Sequence, residues 1–477
     1  MTQRRLQLAA APDAAFIAGM RDIHAEMGLP GAFPPEVEAA AAHAAAHPRL
    51  PDLDRTDLPL LTIDPPGAMD LDQAMALERL GEGFRVHYAI ADVAAFVAPG
   101  DAVDLEAHRR GQTLYGADAK IPLHPRAISE GAASLLPGQE RPAVLWTLDL
   151  DAAGALVRTD VRRARVRSRA RFAYDQVQAL VDAGDTDPRW MLLREIAARR
   201  RAIEVARGGV SLALPSQELE REGDTWRLAY RDLAPVEAWN AQISLLAGMA
   251  AAQLMLAGGI GLLRTLPPPF PDQVRRLRRA AHALAIDWPP GLDYPAFIRE
   301  LSPHVPRHVA MMTTATVVLR GSGYAAFDGA PPEQPLHSAI AAPYAHVTAP
   351  LRRLGDRHAT EVCLALCAGE PVPAWVRTAL PDLPATLRDA DRRGNRYQRA
   401  IIDLVEALML APRVGETFTG TVTSALPADA RTGTVMLREL AIEARVTAAG
   451  ELPVGSDVPV RLVQADPVRR LIAFELV

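Results

Sequence analysis

Lysine is almost missing from this chain. Of 52 basic residues all but Lys120 are arginine, which speaks against Schiff-base chemistry and a phosphate-loop lysine and leaves planar guanidinium groups as the carriers of positive charge. Cysteine is scarce too. Cys363 and Cys367 stand four apart in an apolar stretch, so on a helix they stack as small core residues, without zinc-type spacing. Positive charge is not in excess: 52 Lys+Arg against 57 Asp+Glu gives a net charge of −5, and any nucleic-acid partner must be bound by a local basic groove. The one long apolar run, Leu245 to Leu263, contains Gln253 and the Gly258-Gly259 pair and reads as a buried helix closed by a glycine cap rather than a membrane span. Behind Arg4 and Arg5 the apolar stretch is cut by Pro12 and Asp13, against a signal peptide. The expectation is a cytoplasmic protein with no membrane partner. No internal repeat or long low-complexity tract occurs. What remains is globular composition, 477 residues with 49% hydrophobic and 23% charged, enough for one large domain and smaller satellites.

Phe16, Met20, Ile23 and Met27 share one helical face, with Gly28 as a stop. A second helix starts at Pro35, carries Glu36 and Glu38 in its first turn and breaks at Pro48. Two readings stand for this pair: a helix-turn-helix, or a helical lead-in packed on the next domain. From Leu58 the pattern turns to strands, Leu60 to Ile63, Phe84 to Val93 and Val144 to Leu150. Helical periodicity follows from Pro188 to Arg207, Pro235 to Ala257, Pro271 to Ala285 and Asp356 to Cys367. The middle of the chain is one large mixed α/β (α+β) domain. Between Gly415 and Val477 five short strands, Thr417–Thr423, Thr434–Leu437, Glu443–Val446, Val458–Val463 and Leu471–Glu475, point to a small all-β barrel of the OB kind, a fold that often binds single-stranded nucleic acid.

The informative segment is TIDPPGAMDLDQ, Thr62 to Gln73. An apolar strand ends at Asp64, a Pro-Pro-Gly turn reverses the chain, and Asp70 and Asp72 follow two apart, so three carboxylates can converge. Like charges that close raise one another's pKa unless a cation lies between them, and hard oxygen donors suit Mg²⁺ or Mn²⁺. The bland alternative is an acidic exposed turn. A phosphatase-type Asp-x-Asp nucleophile leaves the six-residue offset from Asp64 unexplained.

TIDPPGAMDLDQA resembles the signature of the RNase II / RNase R exoribonucleases, the RNB-domain family: an Asp, five residues, then Asp-x-Asp-Asp. Further segments agree in order: His87 to Gly100, Gly111 to Pro125, Ser134 to Ala143, Ser168 to Val177 and PYAHVTAPLRRLGD, Pro343 to Asp356. The resemblance covers roughly residues 35 to 477. It implies an RNB-type catalytic domain over 58–411, a C-terminal OB-fold RNA-binding domain over 412–477, and a short helical N-terminal domain over 1–57 where relatives carry cold-shock barrels, so that substrate range should differ from theirs. It also implies processive 3′-to-5′ hydrolysis of single-stranded RNA to nucleoside 5′-monophosphates with Mg²⁺, or alternatively Mn²⁺, by a monomer. Two metal ions held by aspartates suit that chemistry.

By resemblance Asp64, Asp70 and Asp72 fall on the first three acidic positions and serve as catalytic metal ligands. The fourth is Gln73, whose amide offers a carbonyl oxygen without charge. Arg352 matches the catalytic arginine, and Arg353 beside it suits phosphate contact. Tyr115 matches an aromatic that stacks on a base, and Tyr174, with Glu237 as companion, a group that recognises the ribose. Asp92 reads as structural support. Ala349, Leu354, Thr360 and Glu361 depart from the pattern around Arg352. Arg163, Arg165, Arg167, Arg169 and Arg171 alternate with small or apolar residues, either a stripe that tracks the RNA backbone or a solvated strand paired with acids. Arg275, Arg276, Arg278 and Arg279 wind round a helix facing solvent. His87, His108, His124 and His346 read as packed or surface histidines. Two functions remain: a metal-dependent exoribonuclease, or an RNA-binding relative disabled by Gln73.

Overall fold

The computed structural model describes residues 14–116, 120–212, 216–222, 225–231, 233–426 and 428–477; Arg4, Arg5, Pro12 and Asp13 lie outside these residues. Two helices, α1 (Ala14–Met27) and α2 (Pro35–Ala46), precede the strands β1 (Leu61–Asp64), β2 (Gln73–Leu80) and β3 (Gly83–Ala91). Helix α3 (Ala102–Arg110) leads to the short pair β4 (Leu114–Tyr115) and β5 (Lys120–Ile121). Strands β6 (Glu140–Leu150), β7 (Leu156–Arg167) and β8 (Ala170–Ala173) complete a six-stranded sheet of order β7-β6-β3-β2-β1-β8. Its one parallel pairing is β1 with β8.

The chain continues through α4 (Tyr174–Asp182), α5 (Pro188–Arg207), the ribbon β9 (Ser216–Glu222) and β10 (Thr225–Arg231), and α6 (Pro235–Gly258). Strand β11 (Ile260–Thr265) pairs with β12 (Gly323–Asp328) across α7 (Pro271–Ala283), α8 (Tyr294–Arg299) and α9 (Pro306–Ala315). After β13 (Leu336–His337) and β14 (Ala342–Pro343) come α10 (Leu354–Ala368), α11 (Ala374–Ala379) and the long α12 (Leu383–Leu410). Strands β15 (Thr417–Leu426), β16 (Asp429–Leu437), β17 (Ile442–Thr447), β18 (Asp457–Asp466) and β19 (Leu471–Leu476) close into a barrel of order β15-β16-β17-β19-β18. The five expected barrel strands are all present.

Strand alternation divides the central sheet between two cores. Phe84, Val86, Tyr88 and Ile90 of β3 face the core shared with α5, α6 and α10. Ala89 and Ala91 face the opposite core, with α2 and Leu351. Helix α6 is long and apolar enough to cross a membrane, yet its residues fill the first of these cores. It ends as expected at Gly259, whose φ of +69° suits glycine. Asp187 caps α5 by accepting the Arg189 N–H at 2.9 Å.

Helices α1 and α2 do not pack on each other as a helix-turn-helix pair. Phe16, Met20 and Ile23 of α1 join a core built from α12 and the barrel, with His24 hydrogen-bonded to the Tyr397 hydroxyl at 2.9 Å. Val37 and Ala41 of α2 join the core under the central sheet. Each apolar face is thus satisfied by a different neighbour, which favours the lead-in reading. The arginine stripe is likewise not one strand, because the chain leaves β7 at Arg167 and re-enters the sheet in β8 at Ala170.

Candidate active site

Register places the first acid. The parallel pairing of β1 and β8 sets Asp64 opposite Ala173, one residue before Tyr174 opens α4, so the strand end and the helix start meet. The Pro-Pro-Gly turn follows, with Ala68 N–H donating to Pro65 O at 3.2 Å and Gly67 at φ +78°. Ser134 then pins the acidic loop: its hydroxyl donates to Met69 O at 2.6 Å and accepts the Leu71 N–H at 3.0 Å. The loop delivers Asp70 and Asp72 before Gln73 begins β2.

Asp72 is 3% exposed. Its Oδ1 accepts the Leu351 N–H at 2.8 Å and its Oδ2 lies 3.5 Å from Arg352 Nε. Burial pushes the carboxyl up to about 8, with the charges of Asp70 and Asp356 acting the same way, against the pull of Arg352 and the Leu351 hydrogen bond. The loop bearing Arg352 is held by its backbone. Thr113 N–H donates to Arg352 O at 3.0 Å and Leu354 N–H to Gly111 O at 3.1 Å. Gly111 sits at φ +72°, where a Cβ would come 2.6 Å from that of Ala390, so glycine is required for α12 to approach. Arg353 turns inward instead. Its fork donates to Asp356 at 2.9 and 2.7 Å, and Asp356 also accepts the Ala349 N–H at 2.8 Å. Of the arginine pair, Arg352 faces the acids and Arg353 fastens the loop.

Asp70 has a different surrounding. Lys120 Nζ lies 2.8 Å from Asp70 Oδ1 and 2.8 Å from Glu130 Oε1. Tyr115, register partner of Lys120 across β4 and β5, donates its hydroxyl to Asp70 Oδ2 at a long 3.5 Å. The Gln73 side-chain amide donates to Thr348 O. Among the described residues no group of three His, Cys, Asp or Glu side chains is arranged to hold a metal ion. The expected convergence of carboxylates is therefore divided: Asp72 against Leu351 and Arg352, Asp70 against Lys120, and Asp64 on the Tyr174 side, where its charge reaches the buried Tyr88. Lys120 and Glu130 were not singled out as site residues from sequence. The available signal was the solitary lysine.

The other candidates are also placed. Tyr115 is exposed. The Tyr174 hydroxyl accepts from Asn240 Nδ2 at 2.8 Å, and Glu237 Oε1 accepts the Ala234 N–H at 3.2 Å at the start of α6. The arginine stripe is consumed locally: Arg163 by Asp92 at 2.7 Å and by Glu361, Arg165 by Asp54 at 3.1 Å, Arg167 by Glu140, Arg169 by the Thr56 carbonyl and Arg171 by the Met69 sulfur. The acid-paired reading fits Arg163, Arg165 and Arg167, whereas Arg169 and Arg171 meet a carbonyl and a sulfur instead; Asp92 is a structural ion-pair partner. His346, buried on Tyr324 at 2.8 Å, is held neutral by burial.

Asp64, Asp72 and Gln73 carry oxygen donors of the kind that suits a hard divalent ion, although the structure does not gather three acidic or imidazole groups around one point among the described residues. Asp72 is a buried carboxylate whose nearest countercharge is 3.5 Å away; Asp64 and the Gln73 carbonyl oxygen are further oxygen donors on the same chain reversal. Asp70 is already answered by Lys120.

Comparison with known proteins adds the following. A model of the RNB domain matches residues 53–363, and one of the RNase II-type exonuclease C-terminal S1 domain matches residues 416–477. Ribonuclease R of Thermotoga maritima is 26% identical over 420 residues, covering 83% of this chain and 58% of that protein. Ribonuclease R of Escherichia coli is 27% identical over 397 residues, 78% of this chain and 48% of that protein. The chain thus spans about half the length of these relatives. In fold it is similar to Mycoplasma genitalium RNase R in complex with ribose-methylated single-stranded RNA, with a TM-score of 0.86 at 18% identity, covering 97% of this chain and 78% of that one. It is also similar to yeast Ssd1, a pseudonuclease, with a TM-score of 0.69 at 16% identity, covering 92% and 56%.

Proposed function

The chain belongs to the RNB-domain ribonuclease family, and from that premise we propose that it is a metal-dependent, processive 3′-to-5′ exoribonuclease that hydrolyses single-stranded RNA to nucleoside 5′-monophosphates, acting as a cytoplasmic monomer. The observation that carries this reading is Asp72, buried beside Arg352 with its carboxyl pushed up to about 8 by burial, so that an added cation would favour its charged form. Asp64, Asp72 and the Gln73 amide oxygen would hold Mg²⁺ or Mn²⁺, which supplies Lewis-acid charge at the scissile phosphate. Asp72 also anchors the Leu351 N–H and thereby sets the loop from which Arg352 projects. Arg352, a quarter exposed, would take the charge that grows on the phosphate oxygens. Tyr115 offers an exposed face for a terminal base, and the Tyr174–Asn240 pair offers hydroxyl and amide groups for a ribose 2′-hydroxyl.

A second reading, an RNA-binding relative without catalysis, is favoured by Gln73 and by the ion pair on Asp70, and a pseudonuclease shares the fold. A time course on 5′-labelled unstructured RNA with Mg²⁺, Mn²⁺ or EDTA, beside DNA of the same sequence, separates the two. The exoribonuclease converts RNA directly to a very short labelled end product, only with metal, and spares DNA. Binding without cleavage in either metal makes the chain an RNA-binding relative.

A further inference from the structure

The solitary lysine of an otherwise arginine-only chain stands in the acidic site. Its ammonium bridges two carboxylates from different segments, Asp70 of the acidic loop and Glu130 of the turn at Ala127–Ala132, at 2.8 Å each. All three side chains are mostly withdrawn from solvent, at 19%, 14% and 19% exposure for Lys120, Asp70 and Glu130. An ammonium with three donors can answer both carboxylates at once. Three residues after Asp70, Gln73 turns its amide N–H to the Thr348 carbonyl. A carboxylate at that position would set oxygen against oxygen and would need a cation between them. At both places, then, this chain supplies its own N–H groups where an ion would otherwise neutralise oxygen.

We propose that Lys120 is a built-in cation of the acidic site, a positioning residue that ties Asp70 to Glu130, keeps Asp70 from ligating metal, and limits the site to a single divalent ion on the Asp64–Asp72 side. The inference deepens the exoribonuclease reading and rests on it for the identity of the site. Its consequence is a site with one exchangeable metal and one fixed charge, so that part of its charge balance is independent of metal supply.

The test counts ions rather than turnover. Mn²⁺ binding to the full chain without RNA is measured by the electron paramagnetic resonance signal of free Mn²⁺, for the wild type, Lys120→Gln and Lys120→Arg, with thermal melting as the folding control. Lys120→Gln is expected to bind one Mn²⁺ more per chain than the wild type, because Asp70 and Glu130 are released together; Lys120→Arg keeps the charge and the wild-type count. An equal count for Lys120→Gln and the wild type overturns the proposal, as does a wild type that already binds two. If Lys120→Gln fails to fold, Lys120→Met takes its place with the same expected gain. Because the count is taken without RNA, a gain of Mn²⁺ in a protein that cleaves nothing overturns the exoribonuclease reading alone. Normal cleavage with an unchanged count overturns the role of Lys120 alone.

Discussion

Asp70 and Asp72 are two residues apart and live in opposite electrostatic worlds. Asp70 has a full positive charge at 2.8 Å, whereas Asp72 has a backbone N–H and a guanidinium nitrogen no closer than 3.5 Å. Burial dominates at Asp72 and pushes its carboxyl up to about 8. The contrast teaches where an added cation is worth most: beside a carboxylate that solvent and protein have left short of charge, and not beside one already paired.

The strongest way to break this comparison is Asp72→Asn. Turnover of single-stranded RNA is expected to fall about 10³-fold or more, while retention on RNA persists or tightens because a phosphate channel has lost a negative charge. Unchanged turnover in single-turnover cleavage would remove Asp72 from the mechanism. Arg352→Ala follows, with a loss of about 10²-fold in kcat and little recovery in Arg352→Lys, whose ammonium lacks the fork. Full recovery by lysine would reduce Arg352 to a simple point charge.

The same contrast predicts a pH effect on stability. Burial raises the Asp72 carboxyl above the value it has in the unfolded chain, so the favourable contribution of its protonated form is complete below the ordinary aspartate value and is lost as pH rises towards about 8. In EDTA the wild type should therefore weaken relative to Asp72→Asn between about pH 5 and pH 8, by on the order of 2 kcal/mol. Added Mn²⁺ should narrow the gap. Melting curves that stay parallel across this range would mean that Asp72 is ionised without metal.

Legibility in the sequence followed the range of the forces involved. The strand ending at Asp64, the glycine cap of α6 and the barrel strands were all readable, because period-two alternation and turn chemistry are local. The candidate roles of Asp72 and Arg352 came from the family resemblance of TIDPPGAMDLDQA and PYAHVTAPLRRLGD rather than from local pattern. The partners of those residues were not readable. Lys120 meets Asp70 fifty positions away, Arg163 meets Glu361 across two elements, and Gln73 meets Thr348 through a crossing that only the finished sheet creates. Local pattern likewise exposed the apolar faces of α1 and α2 without saying that they would be buried in different cores. Arg353 shows the limit sharply. It is chemically identical to Arg352, yet Asp356 one turn along α10 captures it at 2.7 Å.

The finest distinction falls on Tyr115, which meets Asp70 through a long 3.5 Å hydroxyl contact while presenting an exposed ring. If the ring acts by stacking, Tyr115→Ala should weaken RNA binding by about 1–2 kcal/mol, and Tyr115→Phe should change it by no more than a few tenths, because a hydrogen bond this long contributes little. The two substitutions also differ in what they do to Asp70. Phe leaves Lys120 as its polar neighbour and keeps the stacking face; Ala removes both the hydroxyl and the ring. Equal losses in the two variants, read by RNA titration in EDTA, would move the role of Tyr115 from the ring to the hydroxyl and make it a partner of Asp70 and Lys120 rather than a platform for a base.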